Sequence, residues 1–136
     1  MARPMTEALI DSHDAALFDL DGVVYLGSEV VPAAPATMSR LRANGVGVGF
    51  VTNNAARATT VVADQLTDMG IPAAPSDVVS SAEAVTALVA TKLGQGARVL
   101  IAATSNVDDL ARKRGLVPVH SADEHPQAVI QGYDPD

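Results

Sequence analysis

Two carboxylates stand two residues apart in Asp19-Leu20-Asp21, and Gly22 follows them directly. They close a short apolar run, residues 15–20, of strand length. In extended backbone, residues i and i+2 project the same way, so both carboxylates can face one site. Two like charges held that close are costly unless a cation lies between them or one keeps its proton. Either remedy is chemically useful: Mg²⁺ takes oxygen ligands, and a carboxyl poised to release its proton is a general acid. Gly22 lets the chain leave the strand sharply without a Cβ clash. A second polar cluster, Thr52-Asn53-Asn54, follows the apolar run 46–51 and precedes a helical stretch at 58–69. It offers a hydroxyl, two amides and backbone N–H groups where anions such as phosphate are commonly held. A carboxylate nucleophile, a second carboxylate and a phosphate cradle on adjacent strands point to phosphoryl transfer through an aspartyl-phosphate.

The elements that must position these groups are legible as alternating strands and helices. Residues 15–20, 46–51, 99–103 and 128–131 are apolar runs of strand length. Residues 33–43 pair Met38 with Leu41 and stop at Asn44-Gly45. Residues 58–69 place Val61, Val62, Leu66 and Met69 on one helical face. Residues 81–93 open on the capping-box pattern Ser80-Ser81-Ala82-Glu83 and direct Val85, Leu88 and Val89 inward. A last helix is expected over 106–114, ended by Gly115. This alternation predicts an α/β fold with a mainly parallel sheet buried on both faces. Ligands of such sheets sit beyond the carboxyl ends of the strands, where Asp19, Asp21, Thr52, Asn53, Asn54, Thr104 and Ser105 fall. Gly47 and Gly49, inside a strand, read as positions of close backbone packing.

Composition narrows the function further. The chain has 136 residues, one domain's worth, with 48 % hydrophobic residues and a formal net charge of −7. Aromatic residues are 3 % and no Lys/Arg block occurs, which argues against nucleic acid and membrane surfaces as partners. Cysteine is absent, which removes thiol chemistry and fits a reducing, cytoplasmic setting. The opening MARPMTEALIDSH lacks the apolar core of a secretory signal, and no run is long enough to span a membrane. His13, His120 and His125 lack metal-ligand spacing, and Asp108-Asp109 read as acids at a helix amino end.

FDLDGVVY followed by FVTNNAARAT resembles the haloacid-dehalogenase (HAD) superfamily, and more narrowly its type IIA phosphatases. These are the NagD-like relatives of nitrophenylphosphatase, phosphoglycolate phosphatase and glycerol-3-phosphate phosphatase. The likeness extends along the chain through VVSSAEAV, ARVLIAAT and AVIQGYDPD. The 33 residues from Asp19 to Thr52 leave no room for a helical cap, which disfavours the sugar-phosphate mutases. The resemblance implies a HAD-like three-layer α/β/α, Rossmann-like core. Residues 1–136 would be its amino-terminal portion, with the cap domain absent and the carboxyl-terminal part of the core missing. It implies that Asp19 is the nucleophile and a Mg²⁺ ligand. Asp21 would be the general acid and base, with its carbonyl on the metal. Thr52 and the Asn53 N–H would hold the phosphoryl group, with Asn54 and Arg57 as loop or substrate contacts. The implied substrate is a small phosphorylated metabolite.

Two parts of the family's machinery find no match: a lysine at the phosphoryl group and a later Gly-Asp acidic motif for the metal. Lys92 and Lys113 fall inside expected helices, and nothing basic follows Arg114. The expectation is therefore a phosphatase half-core with little activity of its own. Two other classes compete. A non-catalytic half-core would associate with a partner or with itself as a homo-oligomer. A receiver-like phospho-acceptor would need an acceptor Asp after the third strand, where Thr104 and Ser105 stand, and a later lysine.

Overall fold

The computed structural model describes residues 8–133. MARPMTE and the final three residues of the AVIQGYDPD similarity lie outside the described residues. The eight strands are β1 (Ala15–Asp19), β2 (Tyr25–Leu26), β3 (Glu29–Val30), β4 (Gly47–Thr52), β5 (Val78–Ser80), β6 (Arg98–Ala102), β7 (Val117–Val119) and β8 (Ala128–Gln131). The four α-helices are α1 (Ala34–Ala43), α2 (Thr59–Asp68), α3 (Ser81–Leu93) and α4 (Ser105–Lys113). No helix among the described residues is long and apolar enough to cross a membrane.

The strands form two parallel sheets where the alternation alone predicts one. The first has the order β1-β4-β5 and the second β7-β6-β8, with β2 and β3 making a small hairpin. Each sheet has its own core. Leu20, Phe50, Val62, Leu66, Ile71 and Val78 gather beneath α1 and α2. Val99, Ile101, Val107, Ala111, Leu116 and Ile130 gather beneath α3 and α4. Helices α1 and α2 thus pack on the first sheet and α3 and α4 on the second, the α/β arrangement expected.

The first sheet shows why alternation positions the site. Parallel pairing sets Phe18 beside Phe50 and Asp19 beside Val51, and Phe50 beside Val78. Phe50 and Val78 face the helices and are buried. The intervening positions form the opposite face, where Leu17 is 74 % exposed and Val51 and Val79 are open as well.

The helices begin and end within a residue of the expected bounds, but two faces differ. In α2, Ala63 is buried beside Val62 and Leu66, whereas Val61 points out and Met69 is half-buried. In α3, Ala82 and Thr86 are the buried residues and Leu88 is exposed. Val85 and Val89 pack half-buried against the second core as expected, so of the three inward residues only Leu88 departs, while the small Ala82 and Thr86 lie deepest. The capping box is half realised. The Ser80 Oγ accepts the Glu83 N–H at 3.2 Å, but the Glu83 carboxylate turns to Arg114 Nη2 at 2.5 Å.

Candidate active site

Asp19 ends β1, and the turn that follows is built on Leu20. Its side chain is fully buried, and its carbonyl accepts N–H groups from Val23, Val24 and Tyr25 at 3.2, 2.9 and 3.2 Å. With Leu20 pinned inward, Asp19 and Asp21 are both left exposed. Gly22 has φ +80°, the left-handed conformation that favours glycine, and its N–H donates to the Tyr25 carbonyl at 2.7 Å. One Asp19 oxygen, Oδ1, accepts the Leu20 N–H at 2.9 Å, which fixes the carboxylate at the strand end.

Thr52 ends β4 one residue beyond the register partner of Asp19. Strand spacing and rise put the two Cα atoms about 6 Å apart. Thr52 belongs to the helix-facing set and Asp19 to the open face, so they meet only across the carboxyl edge of the sheet. The Thr52 side chain is buried, and its Oγ1 accepts the Asn54 N–H at 3.1 Å. That leaves the hydroxyl proton to donate to an anion. The Asn54 Oδ1 accepts the Ala56 N–H at 3.0 Å, a local turn that makes Asn54 a loop former. Two other elements brace the loop. Ser81 Oγ donates to the Asn53 carbonyl at 2.9 Å, and the Asn106 Nδ2 donates to the Ala55 carbonyl at 2.9 Å. Beyond it, α2 starts at Ala58 with no side-chain cap and no acid in its first turn, so its leading N–H groups suit an anion.

Arg57 is half-buried and donates to Gln65 Oε1 at 2.5 Å. It also acts on Tyr25, the last residue of the FDLDGVVY stretch and not among the candidate site residues. Burial pushes the Tyr25 phenol above its ordinary 10.0; Arg57 pulls it down, while Asp21 and Asp19 push it up. Tyr25 therefore lies within electrostatic reach of both carboxylates and of the Arg57 guanidinium. A crevice of about 500 Å³ adjoins the loop between the carboxyl ends of β4 and β8. Asn53, Asn54, Ser81, Gln131 and Tyr133 are on its walls, whereas Asp19 and Asp21 are not.

The remaining candidates lie elsewhere. Lys92 and Lys113 sit in the last turns of α3 and α4. Helices that follow parallel strands run back toward the strands' amino ends, so these lysines are remote from the carboxyl edge. Asp108 is buried in α4, with Oδ1 3.3 Å from His120 Nε2, an ion pair when the imidazole is protonated. Thr104 precedes α4 with its hydroxyl buried and unpartnered, so the position a receiver domain fills with an acceptor Asp is closed.

No group of three or more acidic or histidine side chains that could hold a metal occurs among the described residues. The pair Asp19 and Asp21 nevertheless offers hard oxygen donors that fit Mg²⁺, which typically takes one or two carboxylates and keeps its waters or phosphate oxygens.

Residues 16–117 match the haloacid dehalogenase-like hydrolase family model. The chain is 38 % identical over 126 residues to the D-glycerol 3-phosphate phosphatase of Mycobacterium tuberculosis, covering 93 % of this chain and 35 % of that protein. It is 34 % identical over 122 residues to an acid sugar phosphatase of Staphylococcus aureus, covering 90 % of this chain and 46 % of that one. The crystal structure of the M. tuberculosis glycerol phosphate phosphatase in complex with magnesium superposes with a TM-score of 0.87 at 37 % identity, over 95 % of this chain and 38 % of that one. The chain thus spans less than half the length of these relatives. A model match over most of its residues, relatives that are phosphatases, and a shared fold agree: the chain belongs to the haloacid dehalogenase-like hydrolase family.

Proposed function

We propose that this chain carries the nucleophile half of a phosphomonoesterase site acting on a small phosphorylated metabolite. Residues 1–136 then form the amino-terminal portion of a HAD-like core. The observation that carries the reading is the turn at buried Leu20, which leaves Asp19 and Asp21 exposed across the sheet edge from the Thr52 hydroxyl. The Asp19 carboxylate attacks phosphorus, the P–O bond to the alcohol breaks, and Asp21 gives that alcohol its proton. Water then attacks the aspartyl-phosphate with Asp21 as base, which releases phosphate and restores Asp19. Thr52 donates its hydroxyl to the transferring group, and the Asn53 N–H with the uncapped start of α2 adds backbone donors. Asn54 shapes this loop, and Arg57 lies at its end within reach of substrate. The Asp19 carboxylate and the Asp21 carbonyl would hold Mg²⁺, which would supply charge neutralisation for the phosphate dianion.

The glycerol phosphate and acid sugar phosphatases among the relatives favour a phosphorylated polyol or sugar as substrate. The absence of cysteine suits a cytoplasmic setting. With both lysines remote from the carboxyl edge, the isolated chain should be weak, since one missing electrostatic donor costs about 10²–10³ in rate. The test is Mg²⁺-dependent hydrolysis of an aryl phosphate by the chain and by its Asp19→Asn variant. Turnover that disappears in the variant is the expected result. Equal rates in the two proteins would remove Asp19 as the nucleophile.

A further inference from the structure

The peptide groups between Thr52 and Ala56, in the loop that follows β4, alternate in what they bond. The Asn54 N–H donates to Thr52 Oγ1 at 3.1 Å, and the Ala56 N–H to Asn54 Oδ1 at 3.0 Å. The other two N–H groups of this stretch, those of Asn53 and Ala55, have no acceptor among the described residues. The carbonyls alternate as well. That of Asn53 accepts Ser81 Oγ at 2.9 Å, and that of Ala55 accepts Asn106 Nδ2 at 2.9 Å. A trans peptide points its carbonyl and its own N–H in opposite directions. The peptide planes 53–54 and 55–56 are therefore each gripped at both ends, by an outside donor at oxygen and by a side-chain oxygen of the loop at nitrogen.

Both outside donors come from helices packed on the second sheet. Ser81 opens α3, and Asn106 lies in the first turn of α4. Arg114, just past α4, ties the two helices together. Its Nη2 donates to Glu83 Oε2 at 2.5 Å and its Nε to Thr86 Oγ1 at 3.2 Å. The bracing meets chemistry at the Thr52 hydroxyl, whose oxygen receives the Asn54 N–H and whose proton is left to donate. Ser81 donates to the carbonyl of that same peptide, which polarises its N–H and strengthens the bond to Oγ1. An oxygen that accepts more strongly makes its own proton the better donor.

We propose that Ser81 and Asn106 are positioning residues of the phosphoryl-holding loop. By drawing two carbonyls toward α3 and α4, they set the Thr52 hydroxyl and leave the N–H groups of Asn53 and Ala55 as the loop's backbone donors to the anion. The nature of that anion rests on the phosphatase reading, whereas the bracing rests on the hydrogen bonds alone. Ala55 serves through its backbone, which is why its side chain gives no sign of it. Ser81 acts through Thr52, and its own side is exposed, so the fold does not depend on its hydroxyl.

Amide exchange of the full chain, followed by NMR, tests the bracing with no ligand present. One neutral hydrogen bond is worth a factor of about two to ten, so Ser81→Ala should speed exchange at Asn54 by that much and Asn106→Ala at Ala56, each sparing the other. The melt of Ser81→Ala should match that of the parent chain. Inorganic phosphate with Mg²⁺ then tests the positioning. Titrated into the parent chain, it should shift the Asn53 and Ala55 amides more than those of Asn54 and Ala56. Ser81→Ala should weaken phosphate about two- to tenfold, and Ser81→Thr, which keeps the hydroxyl, should restore it. Exchange that ignores both variants, phosphate shifts that bypass Ala55, or an affinity that Ser81→Ala leaves unchanged or Ser81→Thr fails to restore would each overturn the proposal. Loop amides that ignore phosphate altogether, with both exchange effects present, would leave the bracing in place and count against the phosphatase reading instead.

Discussion

Leu17 and Leu20 are three residues apart and separate the two faces of the first sheet by energy. Leu20 is fully buried, and Leu17 is 74 % exposed. Truncating a buried leucine to alanine removes three carbons at about 0.8 kcal/mol each, or about 2.4 kcal/mol. The cavity left in a close-packed core brings the expected loss for Leu20→Ala to about 2.7–5 kcal/mol. For Leu17→Ala, a quarter of that transfer contribution, about 0.6 kcal/mol, is at stake. With a denaturant slope of about 2 kcal/mol/M, Leu20→Ala lowers the urea midpoint by about 1.3–2.5 M, and Leu17→Ala by about 0.3 M. Urea melts of the chain and the two variants, followed by circular dichroism at matched concentration, measure both. Equal shifts, or a larger one for Leu17→Ala, would refute the burial argument and with it the assignment of Leu17 to an open face.

Gly22→Ala tests the turn between the carboxylates. Nothing lies within 4 Å of a Cβ there and φ is +80°, so the loss is conformational, about 1–2 kcal/mol, and Gly22→Asn should lose less; thermal melts that place alanine level with glycine would show that the turn does not need the left-handed conformation. The Tyr25 phenol should titrate above 10.0 in a spectrophotometric titration, assigned with Tyr25→Phe, moving further up in Arg57→Gln and down in Asp21→Asn. Below 10.0 both folded and unfolded chains keep that proton; above it the unfolded chain loses it first, so stability falls as pH rises toward the folded value. A midpoint that ignores both substitutions would separate Tyr25 from the site.

Local chemistry made the placement of the candidate residues readable in advance. Asp19, Asp21 and Thr52 are legible because strand ends are marked by the switch from apolar to polar residues. Helix limits were legible because Gly45, Gly70 and Gly115 stop their helices with positive φ. Four short strands were not. β5 has three residues, β7 contains Pro118, and β2 and β3 have two residues each, too little pattern to register. The division into two sheets depends on which strand each chooses as neighbour, a tertiary matter that alternation does not encode. The part played by Tyr25 was not legible because its link to Asp19, Asp21 and Arg57 is made by the turn at Leu20, and Glu83 was read as a capping-box residue because its partner Arg114 is distant in sequence.

The two sheets also set an order of assembly. Every pairing in the first sheet closes between Ala15 and Ser80, and every pairing in the second between Arg98 and Gln131. Helix α3 lies between these spans in the chain and touches strands of both. As the polypeptide leaves the ribosome, the three described strands of the first sheet are made before any strand of the second, and sequential units of this kind fold amino-terminal first. The turn bearing Asp19 and Asp21 can therefore be set while residues 98–131 are still being made, so damage to the later sheet should cost yield more than it disturbs the geometry of the carboxylates.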